Sequence, residues 1–423
     1  MSLFSRPTLE SSHPSKSEES PSTSFSEAIL DSAVRTRASL PEQYQETFDE
    51  LRSGILAFCK EFQIPVESLS NTETFEAALR SKNILPKRMA EVVLLFQSLE
   101  YLIANKEPIK EDHTEALEYA DRLFHLREQY AAQVSLLERT GILRDGAIMG
   151  ADVKRYLIPS LEEIAERLYS SERRSMFETK QDQKFTKLLL VPFGMSIDIL
   201  IILFREFLRD YKKSHPNFFG PEPKPPRRWD PLSISTGYKG ADGGGHSEWV
   251  YFPESFDQEN HGGKTKEEIL SASKQGWRVL LLQAPADSDQ GIRFIPKKGN
   301  GSIEGEEIPR PDLEAYGTFN LYLTILQKTK NDPTSSYYGE SGMTPEDWMM
   351  AFMTHLEETE QPLDNLSTVK ESGSCLVGVY APDTRFIPAA SWDNEFRHVE
   401  LNGVESSDQW KTKWMGVRFV VEI

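Results

Sequence analysis

The stretch from Ser374 to Ile423 decides how the rest of the chain is interpreted. It contains Ser374-Cys-Leu-Val-Gly-Val-Tyr-Ala-Pro382, Arg385-Phe-Ile-Pro-Ala-Ala-Ser-Trp392 and Trp414-Met-Gly-Val-Arg-Phe-Val-Val-Glu-Ile423. Short runs that are rich in β-branched and aromatic residues and bounded by Gly, Pro or Asp are typical of strands. The residues between the two tryptophans lack this pattern. We therefore expect scaffold strands that enclose an irregular segment exposed to solvent.

This irregular segment supplies the candidate binding residues. Core substitutions cost about 1–5 kcal/mol each, so a surface that tolerates change must consist of side chains outside the core. We expect Trp392, Val417 and Phe419 to pack the core. We predict that the ligand-binding surface consists of Asp393, Asn394, Glu395, Arg397, His398, Glu400 and Asn402. The alternative is an ordinary solvated hairpin, because polar residues alone do not define a site.

Composition limits the classes of protein to which the chain can belong. Its 423 residues predict two or three domains, and its formal net charge of −18 disfavours nonspecific binding to nucleic acid. The two cysteines, Cys59 and Cys375, are too few for a disulfide framework. The first residues lack the apolar core of a secretory signal, so a cytoplasmic location is expected.

The pattern of residues predicts an α+β protein with four parts. Residues 1–38 are rich in Ser, Pro, Glu and Thr and are predicted to be a disordered tail. Residues 39–219 carry apolar side chains at helical spacing, which predicts an all-α helical bundle. The proline-dense segment 220–228 is a predicted linker. Strand signals begin after it, so 229–423 is predicted to be a mixed α+β domain.

One helix of the predicted bundle has an apolar surface almost all round. The run from Leu188 to Phe204 approaches the roughly 20 residues of a membrane span. Asp198 near its middle costs about 3 kcal/mol on insertion scales, which favours a buried bundle helix. Membrane contact through 188–208 remains the alternative, with the C-terminal part then a soluble accessory domain.

A local resemblance bears on the same region. Ser171-Glu-Arg-Arg-Ser175, Lys187-Leu-Leu-Leu-Val-Pro-Phe193, Arg205-Glu-Phe-Leu208 and His215-Pro-Asn217 resemble the surroundings of the membrane helix in the leucine-zipper, EF-hand transmembrane family. The resemblance covers about residues 150–220. The spacing of the motifs departs from the family pattern and no EF-hand calcium loop is present, so the resemblance implies no transport function.

No enzyme motif occurs in a suitable context. Asn260-His-Gly-Gly-Lys-Thr265 ends like a phosphate-binding loop, but no apolar strand precedes it. His246 and His261, with Asp242 or Asp257, match no recognised spacing of metal ligands. We therefore predict a protein with no catalytic residues, no metal ion and no cofactor.

The C-terminal half resembles a family of ligand-display proteins. Pro388-Ala-Ala-Ser-Trp392 and the ending Gly416-Val-Arg-Phe-Val420 look like the closing strands of the C-type-lectin fold in its formylglycine-generating-enzyme variant. The motifs Gly339-Glu-Ser-Gly-Met-Thr-Pro-Glu-Asp-Trp348, Phe352-Met-Thr-His-Leu-Glu-Glu358 and Val377-Gly-Val-Tyr380 resemble the variable proteins of diversity-generating retroelements. The resemblance covers about residues 228–423.

This resemblance implies a fold and a function. Those families vary the codons of the last strands and loops, so that a fixed lectin-like frame presents changeable contacts to an unknown protein or small ligand. Copper-dependent oxidases of the formylglycine-generating type need a closely placed cysteine pair, and this half contains Cys375 alone. The resemblance therefore implies ligand binding without catalysis.

Overall fold

The computed structural model shows a mixed α+β protein. It describes residues 33–423 apart from the following positions: 71–74, 76–77, 80–81, 83, 85, 107–111, 219–229, 243–247, 274, 289, 302–309, 311, 367, 369 and 407–413. The chain divides into two compact units, Met1–Asp112 and His113–Ile423.

The first unit is helical in its described part. It contains α1 (Ala33–Ala38), α2 (Gln45–Glu61) and α3 (Pro86–Asn105), with short 3-10 turns at Glu42–Tyr44 and Val66–Ser70. Its core is built from residues spaced three or four apart, which lie on one face of each helix, as the sequence predicts: Phe48, Ile55, Phe58, Val92, Phe96, Leu99 and Leu102. The predicted tail 1–38 ends in α1, and its residues 1–32 lie outside the described part.

In its described residues the second unit combines helices with four sheets. Its helices are α4 (Thr114–Phe124), α5 (Leu126–Arg139), α6 (Leu161–Tyr169), α7 (Arg174–Asp182), α8 (Ile197–Ser214), α9 (Lys266–Ser273), α10 (Phe319–Thr329) and α11 (Pro345–Thr359), with a 3-10 turn at Thr236–Tyr238. Its strands are β1 (Ala147–Met149), β2 (Arg155–Leu157), β3 (Phe185–Val191), β4 (Leu232–Ile234), β5 (Val250–Tyr251), β6 (Arg278–Gln283), β7 (Ile295–Pro296), β8 (Glu340–Gly342), β9 (Glu371–Cys375), β10 (Val379–Tyr380), β11 (Phe386–Asp393), β12 (His398–Glu405), β13 (Met415–Val417) and β14 (Phe419–Glu422).

Two sheets organise this unit. The first is antiparallel and has the strand order β3-β6-β14-β8. The second has the order β13-β9-β11-β12-β4, with β7 paired to β9. Its β12–β4 and β13–β9 pairs are parallel, whereas β11 is antiparallel to both of its neighbours. The small pairs β1–β2 and β5–β10 lie outside these sheets.

Helix α11 connects the two larger sheets because it contacts both β3 and β11. It begins with a capping box: Thr344 Oγ1 accepts the N–H of Asp347, and the Asp347 carboxylate accepts the N–H of Thr344. Trp348, Phe352 and Leu356 are fully buried within its apolar length. A helix that is buried on nearly every side is typical of the centre of a large core.

The prediction of a helical bundle over 39–219 is wrong because strands interrupt it from Ala147 onward, although α4 and α5 are helices as predicted. Residues 185–191 form β3, which pairs with β6 from the other side of the predicted linker. Strands β1 and β2 also lie within the range that was predicted to be all-α. The residues of β3 are almost all apolar, and a short apolar run of this kind fits a buried strand as well as a buried helix. The linker 220–228 lies outside the described residues.

The apolar run predicted as one helix is therefore two elements. Its first part is β3, and α8 begins only at Ile197, after a turn that contains Pro192 and Gly194. Leu200, Phe204 and Leu208 face the core, which explains the high apolar content of α8. None of the helices in the described part of the chain combines the length and the apolar character that a membrane crossing requires.

Candidate functional site

The predicted binding residues lie on one β-hairpin. Strands β11 and β12 pair without a break from Phe386↔Glu405 to Asp393↔His398. Side chains alternate between the two faces of a strand. On β12, Val399 and Leu401 are fully buried, whereas the predicted residues of the same strand are half-buried or exposed.

A regular hairpin replaces the irregular segment that the sequence suggested. Asp393 ends β11, and its Oδ1 accepts the backbone N–H groups of Glu395 at 2.7 Å and Phe396 at 2.9 Å. Arg397 closes the turn with a positive φ of 50°. Side-chain acceptance of this kind stabilises a turn. The turn residues do not follow a strand periodicity, and this is why the sequence pattern appeared irregular.

Four of the seven predicted residues meet beside this turn. His398 Nε2 lies 3.3 Å from Glu400 Oε1, and the Asn402 amide donates to Glu400 Oε2 at 3.0 Å. Asp393 is the cross-strand neighbour of His398. One ligand atom from each of Asp393, His398 and Glu400 lies within 4.8 Å of the others.

The remaining three predicted residues are exposed in the turn. Arg397 Nη1 donates to the backbone oxygen of Asn217 at 3.1 Å, so this side chain connects the turn to the segment that follows α8. Asn394 and Glu395 are directed outward. We refer to the seven predicted residues together as the outward face of the hairpin.

Phe396 is a site residue that sequence reasoning missed. Its ring is 61% exposed at the turn and stacks on the His398 imidazole, with 5.7 Å between ring centroids and 15° between planes. Apolar residues are usually assigned to the core, and only the position of Phe396 between polar neighbours could have indicated an exposed ring.

A buried carboxylate anchors the frame behind the hairpin. Asp364 Oδ2 accepts Trp348 Nε1–H at 2.7 Å and Ser374 Oγ–H at 2.6 Å, and its Oδ1 accepts from Arg418 Nη2 at 2.6 Å. The Trp392 N–H donates to the Asp364 backbone oxygen at 3.1 Å. We call Asp364, Trp348, Ser374 and Arg418 the buried polar centre.

The buried polar centre explains part of the C-terminal sequence pattern. It links α11, β9 and the segment between β13 and β14 through a single carboxylate. Trp392, Val417 and Phe419 are buried, in agreement with their predicted place in the core. Buried charges are tolerated where hydrogen bonds and an opposite charge satisfy them, and both oxygens of the Asp364 carboxylate have such partners.

Two further buried ion pairs lie at the start of α11. Glu346 accepts from Lys266 Nζ at 2.7 Å and from the Tyr251 hydroxyl at 2.8 Å. Asp347 accepts from Arg278 at 2.5 Å. Burial raises the pKa of Asp347 to about 6, although Arg278 acts in the opposite direction. These residues hold the helix in place and lie in the interior, away from solvent.

Two histidines outside the hairpin, His246 and His261, were the other candidate metal ligands in the sequence. His246 lies outside the described residues. The Asp242 carboxylate pairs with Lys266, and His261 Nδ1 accepts the N–H of Gly263. Within the described part of the chain, the group of Asp393, His398 and Glu400 is the one set of side chains with the composition and proximity of metal ligands.

The buried cysteine in this region is chemically protected. Cys375 is unpaired, and burial raises the pKa of its thiol far above the usual value. Thiolate is the reactive form of cysteine, so burial makes this side chain unreactive. It packs against the core of the hairpin sheet and takes no part in the outward face.

Comparison with known proteins finds no relative: no family model matches the chain, and no curated sequence or solved structure is significantly similar to it.

Proposed function

We propose that this protein recognises a protein or small ligand without catalysis, through the outward face of the β11–β12 hairpin. In this proposal the second unit, His113–Ile423, carries over about residues 228–423 a lectin-like display region of the kind found in variable proteins of diversity-generating retroelements. The resemblance of the C-terminal motifs supports the fold assignment. The protein is further proposed to work in the cytoplasm, where its two buried, unpaired cysteines would remain thiols.

The division of the hairpin into two faces carries this proposal. Val399 and Leu401 on β12 and Trp392 on β11 are buried, and each is an immediate chain neighbour of an outward residue. Substitution of an outward side chain therefore removes no core contact, whereas substitution of Trp392, Val399 or Leu401 does. The buried polar centre holds the frame independently of the outward face, because none of its four residues belongs to that face.

Natural sequence variation tests the proposal. If the outward face is diversified, the encoding genome should contain a second copy of the segment for residues 385–418 near a reverse transcriptase gene, differing mainly at adenines. Differences among close relatives should fall on the codons of the outward face. The codons for Val399 and Leu401 serve as matched controls and should remain apolar.

A binding experiment tests the same proposal on the protein itself. A library that randomises the seven outward positions should retain folded protein and yield variants that bind unrelated target proteins specifically. A library of equal size at Trp392, Val399 and Leu401 should lose folded protein, because each large-to-small core change costs about 2–5 kcal/mol. Equal loss of folding in both libraries, or uniform conservation of the outward codons among relatives, would contradict a display function.

A further inference from the structure

We propose that Asp393, His398 and Glu400 bind one divalent transition-metal ion of the Zn²⁺ type on the outward face of the hairpin. The site goes beyond the proposed recognition function and does not depend on it, since metal binding requires no partner. The three residues come from the end of β11 and the start of β12, so the hairpin register itself brings them together.

The distances fit shared coordination. Ligand atoms that lie about 2.0–2.15 Å from a tetrahedral zinc ion are about 3.3–3.5 Å from each other. The separation of His398 Nε2 and Glu400 Oε1 is 3.3 Å. All three ligand atoms lie within 4.8 Å of one another, so side-chain movements of up to about 1.5 Å bring the set to coordination spacing.

Each of the three side chains is also held by a second contact. Asp393 Oδ1 accepts two backbone N–H groups of the turn, which leaves Oδ2 available to an ion. The Asn402 amide holds Glu400 Oε2 and leaves Oε1 directed at His398. The Phe396 ring stacks on the His398 imidazole and restrains its plane. Metal ligands in proteins are usually restrained by such neighbouring contacts, which lower the cost of ordering them.

The chemistry of the ligand set selects the class of ion. One neutral imidazole with two carboxylates suits Zn²⁺, Fe²⁺ or Mn²⁺, whereas Ca²⁺ prefers six to eight oxygen ligands. Two carboxylates also balance the charge of a divalent ion. Arg397, which directly precedes His398 in the sequence, donates to the backbone oxygen of Asn217. Three protein ligands leave coordination positions open to solvent, where a carboxylate or imidazole of a bound partner would complete the shell.

The experiment measures metal binding by the full-length protein. After removal of metals with a chelator, Zn²⁺ is titrated by calorimetry, with Mn²⁺ and Ca²⁺ in parallel. We expect a Zn²⁺ site of unit stoichiometry that is weakened at least about tenfold in His398→Ala, Glu400→Gln and Asp393→Asn. Asn402→Ala should weaken binding less, because it releases only one oxygen of Glu400. Ca²⁺ should bind more weakly than Zn²⁺.

Two matched variants give the result its specificity. Glu395→Gln removes a carboxylate from the same turn, and His261→Ala removes a histidine outside the group. Neither should change the affinity for Zn²⁺. Circular dichroism and thermal unfolding confirm that each variant is folded. The proposal is overturned if His398→Ala binds Zn²⁺ as tightly as the wild type, or if Glu395→Gln weakens binding as much as Glu400→Gln. Failure here would leave the display function untouched, because the library and genome tests contain no metal.

Discussion

Two carboxylates in the second unit show how the same chemical group serves different purposes. Asp364 in the buried polar centre is completely enclosed, and its oxygens accept from tryptophan, serine and arginine side chains. Asp393 on the outward face uses Oδ1 to hold a turn, and its carboxylate lies near His398 and Glu400. The interior therefore supplies every partner that Asp364 needs.

The difference has an energetic consequence. A buried charge that loses its partner cannot recover solvation, whereas an exposed one can. Polar residues of the buried polar centre and of α11 should therefore dominate stability. Residues of the outward face should contribute little, which leaves them available for binding.

The largest effect is expected at Asp364. Asp364→Ala leaves Arg418 buried without its carboxylate partner, and should lower the free energy of unfolding by about 3–5 kcal/mol. Asp393→Ala removes only side-chain hydrogen bonds at the surface and should cost about 1 kcal/mol. Urea denaturation measures both variants. Similar losses for the two variants would contradict the expectation that burial makes Asp364 more important than Asp393 for the free energy of unfolding.

A pH effect of intermediate size is expected at His355 on α11. Its Nδ1 accepts the Ile292 N–H at 2.9 Å, and burial, with Arg418 and Lys187 nearby, lowers its pKa to about 3. The unfolded chain therefore binds a proton at His355 near pH 6.5, whereas the folded protein binds it only near pH 3. Stability from this group is complete above about pH 6.5 and is lost as the pH falls toward 3, by at most about 1.4 kcal/mol per pH unit.

His355→Gln isolates this contribution. Glutamine keeps an acceptor for the Ile292 N–H but does not titrate. The stability of the variant should therefore fall less steeply below pH 6.5 than that of the wild type. Asp347, with its pKa raised to about 6, stabilises the fold in the opposite direction as the pH falls from 6 toward 4. This second effect is present in both proteins and cancels in their difference. Parallel curves would contradict the role of His355.

The smallest effect is expected in the turn of the hairpin. Replacing Asn394 by Ser, Glu395 by Gln and Phe396 by Ser together should change the free energy of unfolding by less than about 0.5 kcal/mol, because all three side chains are exposed. Leu401→Ala on the inward side of β12 is the matched comparison and should cost about 2–5 kcal/mol. A large loss in the triple variant would show that the turn is part of the frame.

Local patterns determined a substantial part of the architecture. The helices α2 and α3 of the first unit and the strands β10, β11, β13 and β14 follow from side-chain spacing and from β-branched and aromatic runs. Strand β3 was misread as helix because its continuous apolar run has no periodicity that distinguishes a buried strand from a buried helix. The domain boundary was displaced for the same reason.

The exposure of the predicted binding residues followed from the sequence, but the proximity of three of them did not. All seven residues of the outward face lie exposed or half-buried on one hairpin, as side-chain polarity predicted. The prediction of no metal ion was based on His246 and His261, because their spacing matches no recognised set of metal ligands. The proposed ligand group escaped notice because Asp393 and His398 become neighbours only through antiparallel pairing.

Local sequence patterns fix which residues are apolar, where strands β11 and β14 lie, and which polar residues remain outside the core. These properties depend on side chains close together along the chain. Three arrangements depend on tertiary packing: β3 joins the sheet of β6 and β14, Asp364 meets Arg418, and Asp393, His398 and Glu400 converge. Such contacts join residues that are distant in sequence or lie on opposite strands, and they arise when burial and strand register bring them together.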